Sequence, residues 1–156
     1  MRRGFLFLSA ALAFGTAALL PVGAAASGVT AQIGQANLQS RVLVVVTVNA
    51  TCPAPFWDPS TQTIAYEVVN ASVEEASGKE ISHGFGGASG QFFSCDNSTV
   101  AIPVSVLADT NGPPFHGGSA IVTASVSVVA GTSCGPGCFY NLVSQSATDG
   151  PRPVHI

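Results

Sequence analysis

The chain is poor in charge: only 8% of its 156 residues are Asp, Glu, Lys or Arg, and it holds a single lysine, Lys79. Beyond residue 26 the only basic side chains are Arg41, Lys79 and Arg152, set against eight carboxylates. With no basic cluster, this part of the chain has no electrostatic footprint for nucleic acid or for an anionic membrane surface. Motifs are missing as well. There is no H-E-x-x-H, and the G-x-S-x-G spacing of Gly131-Thr132-Ser133-Cys134-Gly135 runs into a Gly-Pro-Gly turn with no helical pattern after it, so neither a zincin helix nor a nucleophile elbow is encoded. Sustained helical periodicity is absent beyond residue 26, which argues against a helical domain. What remains is a sequence rich in Val, Ser, Thr, Ala and Gly with clear turn chemistry, the composition of an ordered β domain rather than a disordered tail.

The one long hydrophobic run lies at the start. Met1-Arg2-Arg3 precedes an apolar stretch from Phe5 to Leu20, and small residues follow up to Ala24-Ala25-Ala26. A positive start, a short apolar core and an A-x-A exit predict a cleavable signal helix over residues 1–26. Pro21 and Gly23 interrupt the run and disfavour a retained anchor. Arg2-Arg3-Gly4-Phe5-Leu6 matches the core of a twin-arginine signal, but Met1 occupies the place of the usual polar residue, so the general secretory route fits better. The expected location is extracellular.

Cleavage leaves about 130 residues, enough for one domain with its own core. A polar segment, 27–40, carries a first strand near Val29–Ile33. The main domain is expected over 41–148, and 149–156, with Pro151 and Pro153, reads as an extended C-terminal tail. Within the domain, Val42, Val44, Val46, Val48, Ala50 and Cys52 share one parity, as do Val100, Ile102, Val104 and Val106, and again Ala120, Val122, Ala124, Val126 and Val128. Period two with β-branched enrichment predicts strands facing a core. Further strands are expected over 64–73 and 139–146. Pro53-Ala54-Pro55, Asp58-Pro59, Ser77-Gly78, Asn111-Gly112-Pro113-Pro114 and Gly135-Pro136-Gly137 supply the turns. Seven to eight short strands predict an all-β, antiparallel β-sandwich, with a small closed barrel as the alternative. Pro103 places its strand at an edge or a bulge.

Four cysteines, Cys52, Cys95, Cys134 and Cys138, in an exported domain predict two disulfides. Three pairings are possible. The favoured one joins Cys52 to Cys95 and Cys134 to Cys138, because Gly135-Pro136-Gly137 can fold the second pair back on itself. The first pairing requires 81–95 to run as one glycine-broken strand; a hairpin turn at 84–90 would change the parity. Loop entropy assigns roughly 4 kcal/mol to the long bridge and about 2 to the short one. A metal at Cys134-x-x-x-Cys138 lacks partners, since His83, His116 and His155 show no ligand spacing to it.

An inward cysteine on an early strand, a nearby tryptophan and a second cysteine on a later strand, here Cys52, Trp57 and Cys95, resemble the immunoglobulin-like sandwich. Trp57 departs from the pattern by lying in a proline-rich loop, and Phe93 stands where a tyrosine is expected two residues before the second cysteine. Over most of its length the chain resembles the small exported immunoglobulin-like proteins of Gram-positive bacteria. That resemblance implies fold and location, not activity.

Candidate sites are few. The rigid loop from Pro53 to Pro59 presents Phe56 and Trp57 as an aromatic contact surface, or folds Trp57 over the end of the sandwich as a plug. Asp96 and the Cys134–Cys138 turn are expected at that same end. His83 and His116 read as exposed loop histidines. Glu74 and Glu75 read as a solvated turn, and Asp109-Thr110-Asn111-Gly112 as a hairpin turn rather than a calcium loop. The sequons at Asn49, Asn70 and Asn97 are inert in a bacterial export product. The sequence therefore predicts a non-enzymatic secreted module with no cofactor and no metal site, partnered by an extracellular or envelope protein. A carrier of a small apolar ligand is the second expectation, and an envelope-directed hydrolase the third.

Overall fold

A computed structural model describes residues 28–92 and 94–156. The expected signal helix, and Phe93, lie outside the described residues. Seven antiparallel strands form a single hydrogen-bonded sheet in the order β1-β2-β5-β4-β3-β6-β7. They run β1 Thr30–Ser40, β2 Leu43–Thr51, β3 Thr63–Ser77, β4 Glu80–Gly90, β5 Thr99–Ala108, β6 Ser119–Gly135 and β7 Cys138–His155.

The alternating rows read from the sequence face one core. Val44, Val46, Val48 and Ala50 of β2, Val104 and Val106 of β5, and Val122, Ala124, Val126 and Val128 of β6 are buried, while Val42 at the mouth of the β1–β2 turn is exposed. Each fully buried valine contributes on the order of 1.5–3 kcal/mol of apolar burial, so these rows are the main stabilising term. β3 adds a row the periodicity also contains: Glu67, Val69, Ala71, Val73 and Glu75 all point inward. A carboxylate thus closes each end of an apolar row.

The strands were expected as a sandwich of two facing sheets; they are instead one sheet curled into a half-barrel. Its limbs, β1-β2-β5 and β4-β3-β6-β7, share one core and are joined by only two residue pairs, Gly84 with Ala108 and Phe85 with Leu107. Glycine makes that joint possible. A Cβ on Gly86 would lie 1.9 Å from the carbonyl oxygen of Ser105, and one on Gly84 would lie 2.6 Å from that of Leu107. β4 therefore crosses the β5 backbone at a distance only glycine allows, then leaves it. Beyond the crossing β5 is laddered on one side only, which is where Pro103 sits, opposite Thr47 of β2.

The opposite edges of the curl, β1 and β7, meet through side chains. Gln145 Oε1 accepts the N–H of Val29 at 3.2 Å, Asp149 Oδ2 accepts that of Ile33 at 2.6 Å, and the Arg152 guanidinium donates to the Ile33 carbonyl at 3.3 Å. Arg152 is itself held by Asp149 at 3.2 Å. The segment 149–156, expected as a tail, is strand through His155, paired with Ser119, Ala120, Ile121 and Val122 of β6. Its prolines are tolerated because β7 is an edge strand with a ladder to β6 alone.

Candidate functional site

Strand directions place three connections at one end of the half-barrel: residues 52–62 between β2 and β3, residues 91–98 between β4 and β5, and the β6–β7 hairpin. Both disulfides are there. Cys52 bonds Cys95 and Cys134 bonds Cys138, so no described cysteine is free. β4 runs unbroken through its glycines, from Glu80 to Gly90, and it is this continuity that brings Cys95 back to Cys52. The bridge is buried, with Cys52 fully covered, and the N–H of Asn97 donates to the Cys52 carbonyl at 3.0 Å. In an antibody-type domain the bridge spans two sheets. Here it staples segments leaving β2 and entering β5, which are neighbours along the sheet.

Phe56 and Trp57 are half-buried and packed against the core, ring edge to ring face with centroids 4.9 Å apart. Of the two arrangements expected for this loop, an aromatic contact surface or a plug over the end, the pair takes the plug. Its loop is closed by Asp58, whose carboxylate accepts the Ser60 hydroxyl at 2.6 Å and the Ser60 N–H at 2.9 Å. These bonds hold the Asp58 carboxyl below the usual carboxylate range, with the hydroxyl as the larger cause. Asp96 repeats the device: hydrogen bonding from the Ser98 hydroxyl, and then from the Ser98 N–H, lowers its pKa in the same way. Asp96 is exposed, yet its side chain is occupied in shaping its own turn.

The third element is the hairpin. β3 pairs with β6 only as far as Gly131, opposite Thr63, so the ribbon beyond it projects as two strands. Its turn needs glycine at both ends, since Gly135 and Gly137 have φ of 139° and 71°. Gln62 anchors the ribbon by donating to the Asn141 carbonyl at 2.8 Å. Tyr140 and Leu142 on the ribbon are 51% and 55% exposed, and Tyr66 at the start of β3 is 50% exposed. No Lys, Arg or His lies in 52–62, 91–98 or 131–143. The end presents aromatic and aliphatic side chains with two carboxylates and no cation.

Beside the start of β3 lies an open cleft of about 540 Å3, lined by Thr63, Ile64, Glu67, Gln91, Phe92 and Ser94. Four of these six residues are polar, a poor lining for an apolar ligand. Glu67, buried on its floor, accepts the backbone N–H of Phe92 and so fixes the chain that leaves β4. The sequence offers Glu67 only as one of several titratable groups that a hydrolase would have to bring together; its parity with Val69, Ala71 and Val73 is the signal that it faces inward.

At the far end Phe115 is fully buried and stops the core. Its loop is held by three bonds: Phe115 N–H to the Arg41 carbonyl at 2.8 Å, the Ser82 hydroxyl to the Pro114 carbonyl at 2.8 Å, and His116 N–H to Glu75 Oε2 at 2.8 Å. Glu75, expected in a solvated turn, is therefore a buried latch, because β3 continues to Ser77 and carries it inward. Glu74 points out, 3.7 Å from His83, which stands on β4 rather than in a loop. His116 accepts from the Arg41 guanidinium at 3.2 Å. Residues 109–118 turn at Asp109 and Gly112 but cross between the two limbs, so the expected hairpin there is a crossover.

The titratable groups weighed for chemistry are thus spread over both ends and both faces. Among the described residues no group of three or more His, Cys, Asp or Glu is placed to hold a metal ion. Comparison with protein-family models, curated proteins and solved structures finds no match for this chain.

Proposed function

We propose that the chain is an exported, non-enzymatic immunoglobulin-like module that acts by binding a component outside the cytoplasm through the end where its two disulfides lie. The carrying observation is the convergence there of 52–62, 91–98 and the projecting hairpin, with Tyr66, Tyr140 and Leu142 exposed on a surface free of basic groups. Rigid aromatic and aliphatic anchors on a stapled frame are the usual makings of a recognition surface. Two disulfides accord with an oxidising compartment, the destination the signal over 1–26 implies. Support for the immunoglobulin-like reading comes from strand neighbours. First-second-fifth on one limb and fourth-third-sixth-seventh on the other is the neighbour pattern of immunoglobulin-like sandwiches.

The apolar-carrier reading is the weaker one, because Val44, Val46, Val48, Val104, Val106, Val122 and Val126 occupy the interior, the cleft at Glu67 is polar, and the apolar groove of about 370 Å3 at Ile81, Ile121 and Pro153 is an open one among exposed side chains. The hydrolase reading is weaker still, since Glu67 and Glu75 each serve a backbone N–H at opposite ends. The test is affinity capture from extracellular and envelope fractions, followed by mass spectrometry. Wild-type chain retains a component that a Tyr140→Ser, Leu142→Ser variant loses and that a Phe85→Ser variant, altered on the β4–β5 corner, keeps. Equal capture by all three, or by none, contradicts the proposal.

A further inference from the structure

The two disulfides share an end of the molecule but differ in everything that governs exchange with a thiol. Cys52 is fully buried and Cys95 nearly so, whereas Cys134 and Cys138 are both exposed at the tip of the ribbon. A thiolate must approach a disulfide along the S–S axis, so access to the outer side of one sulfur is the first requirement. Around the tip it is met: beyond its own chain neighbours, a Cβ placed on Gly135 or on Gly137 would have no atom within 4 Å. Electrostatics point the same way. From Gly117 to Thr148 there is no charged residue, so the tip carries no carboxylate of its own to repel an anionic thiolate, while Asp96 adjoins Cys95 in sequence. The tip is also structurally separate. It lies beyond Gly131, the last β6 residue paired with β3, so opening it disturbs no three-stranded part of the sheet.

We propose that Cys134–Cys138 is a thiol-exchange site, open to a small extracellular thiol or dithiol while the chain stays folded, and that Cys52–Cys95 is closed to exchange in the folded state. With a dithiol, one thiolate sulfur attacks Sγ of Cys134 or Cys138. The S–S bond breaks, its electron pair leaves on the other Sγ, and that thiolate takes a proton from water. The second sulfur of the dithiol gives up its proton to water and attacks the reagent sulfur of the mixed disulfide, and the remaining cysteine leaves as a thiolate that takes a proton in turn. Two cysteine thiols and one cyclic disulfide of the reagent result, so the dithiol is oxidised by two electrons and the bridge reduced by two.

The experiment uses the mature, fully oxidised chain with dithiothreitol, quenching aliquots with iodoacetamide and counting alkylated cysteines by peptide mass spectrometry, with far-ultraviolet circular dichroism followed in parallel. Cys134 and Cys138 are expected to be alkylated together, at least about tenfold faster than Cys52 and Cys95, with the spectrum unchanged. Subdenaturing urea is expected to accelerate modification of Cys52 and Cys95 and to leave the tip rate unchanged. Equal rates for the two bridges, earlier opening of Cys52–Cys95, or a tip rate that rises with urea in step with the other overturns the proposal.

Discussion

The buried carboxylate of Glu75, near the end of β3, accepts the backbone N–H of His116 at 2.8 Å and thereby holds the loop whose Phe115 stops the core. The bond joins residues 41 apart in sequence and fixes a crossover that has no ladder of its own. Removing the acceptor leaves a partly buried N–H without its partner, the costly kind of hydrogen-bond loss. Glu75→Ala is expected to lower unfolding free energy by about 2 kcal/mol, and Glu75→Gln, which keeps an acceptor oxygen, by about half of that. Urea unfolding checks it. Equal stability of Glu75→Ala and wild type means the latch carries no load.

The seam between β1 and β7 makes a second prediction. Asp149 accepts Ile33 N–H and orients Arg152 toward the Ile33 carbonyl, so one side chain serves both backbone groups of that residue. Asp149→Ala is expected to cost about 1–3 kcal/mol and to speed hydrogen exchange at Ile33 more than at Val104 in the centre of β5. Uniform acceleration across the sheet contradicts a local clasp.

Glycine positions separate sharply. At Gly86 a methyl group meets the Ser105 carbonyl oxygen at 1.9 Å, while at Gly112 its nearest contact is 3.5 Å away. Gly86→Ala is expected to destabilise by about 3 kcal/mol or more, and Gly112→Ala to lie within about 0.5 kcal/mol of wild type. Thermal melts of the two variants decide it.

Much of this was legible beforehand, and the boundary has a physical meaning. Parity placed Val44 to Ala50, Ile102 to Val106 and Ala120 to Val128 correctly, because burial on one face is a local property of a strand. The pairing of Cys52 with Cys95 followed from whether β4 could run through Gly84 to Gly90. What stayed hidden was non-local. Nothing in the sequence around Gly84 and Gly86 says that another strand's backbone crosses there, and nothing near Asp149 names Ile33 as its partner. Pro151 and Pro153 masked the length of β7, since proline forbids a ladder only on the side that must donate. Glu75 was misread because two adjacent glutamates look like solvent-facing charge; only the inward row from Glu67 onward distinguishes it from Glu74.

At acid pH the two turn aspartates give a signed expectation. Hydrogen bonds from Ser98 lower the pKa of Asp96 in the folded chain, so its contribution to stability is present at neutral pH, above its unfolded pKa, and is lost as pH falls through the folded one. NMR titration should place the Asp96 carboxyl below the ordinary aspartate range, and Ser98→Ala should move it upward. An unchanged midpoint in Ser98→Ala removes the Asx turn as the cause.

The stapled end is tested most directly by site-specific photo-crosslinking. A benzophenone amino acid is placed at Tyr140 on the hairpin, or at His155 at the opposite end, and the folded chain is irradiated with extracellular and envelope fractions. A discrete crosslinked partner is the expected result from position 140, with none from position 155. The same partner from both positions, or crosslinks from 155 alone, contradicts it.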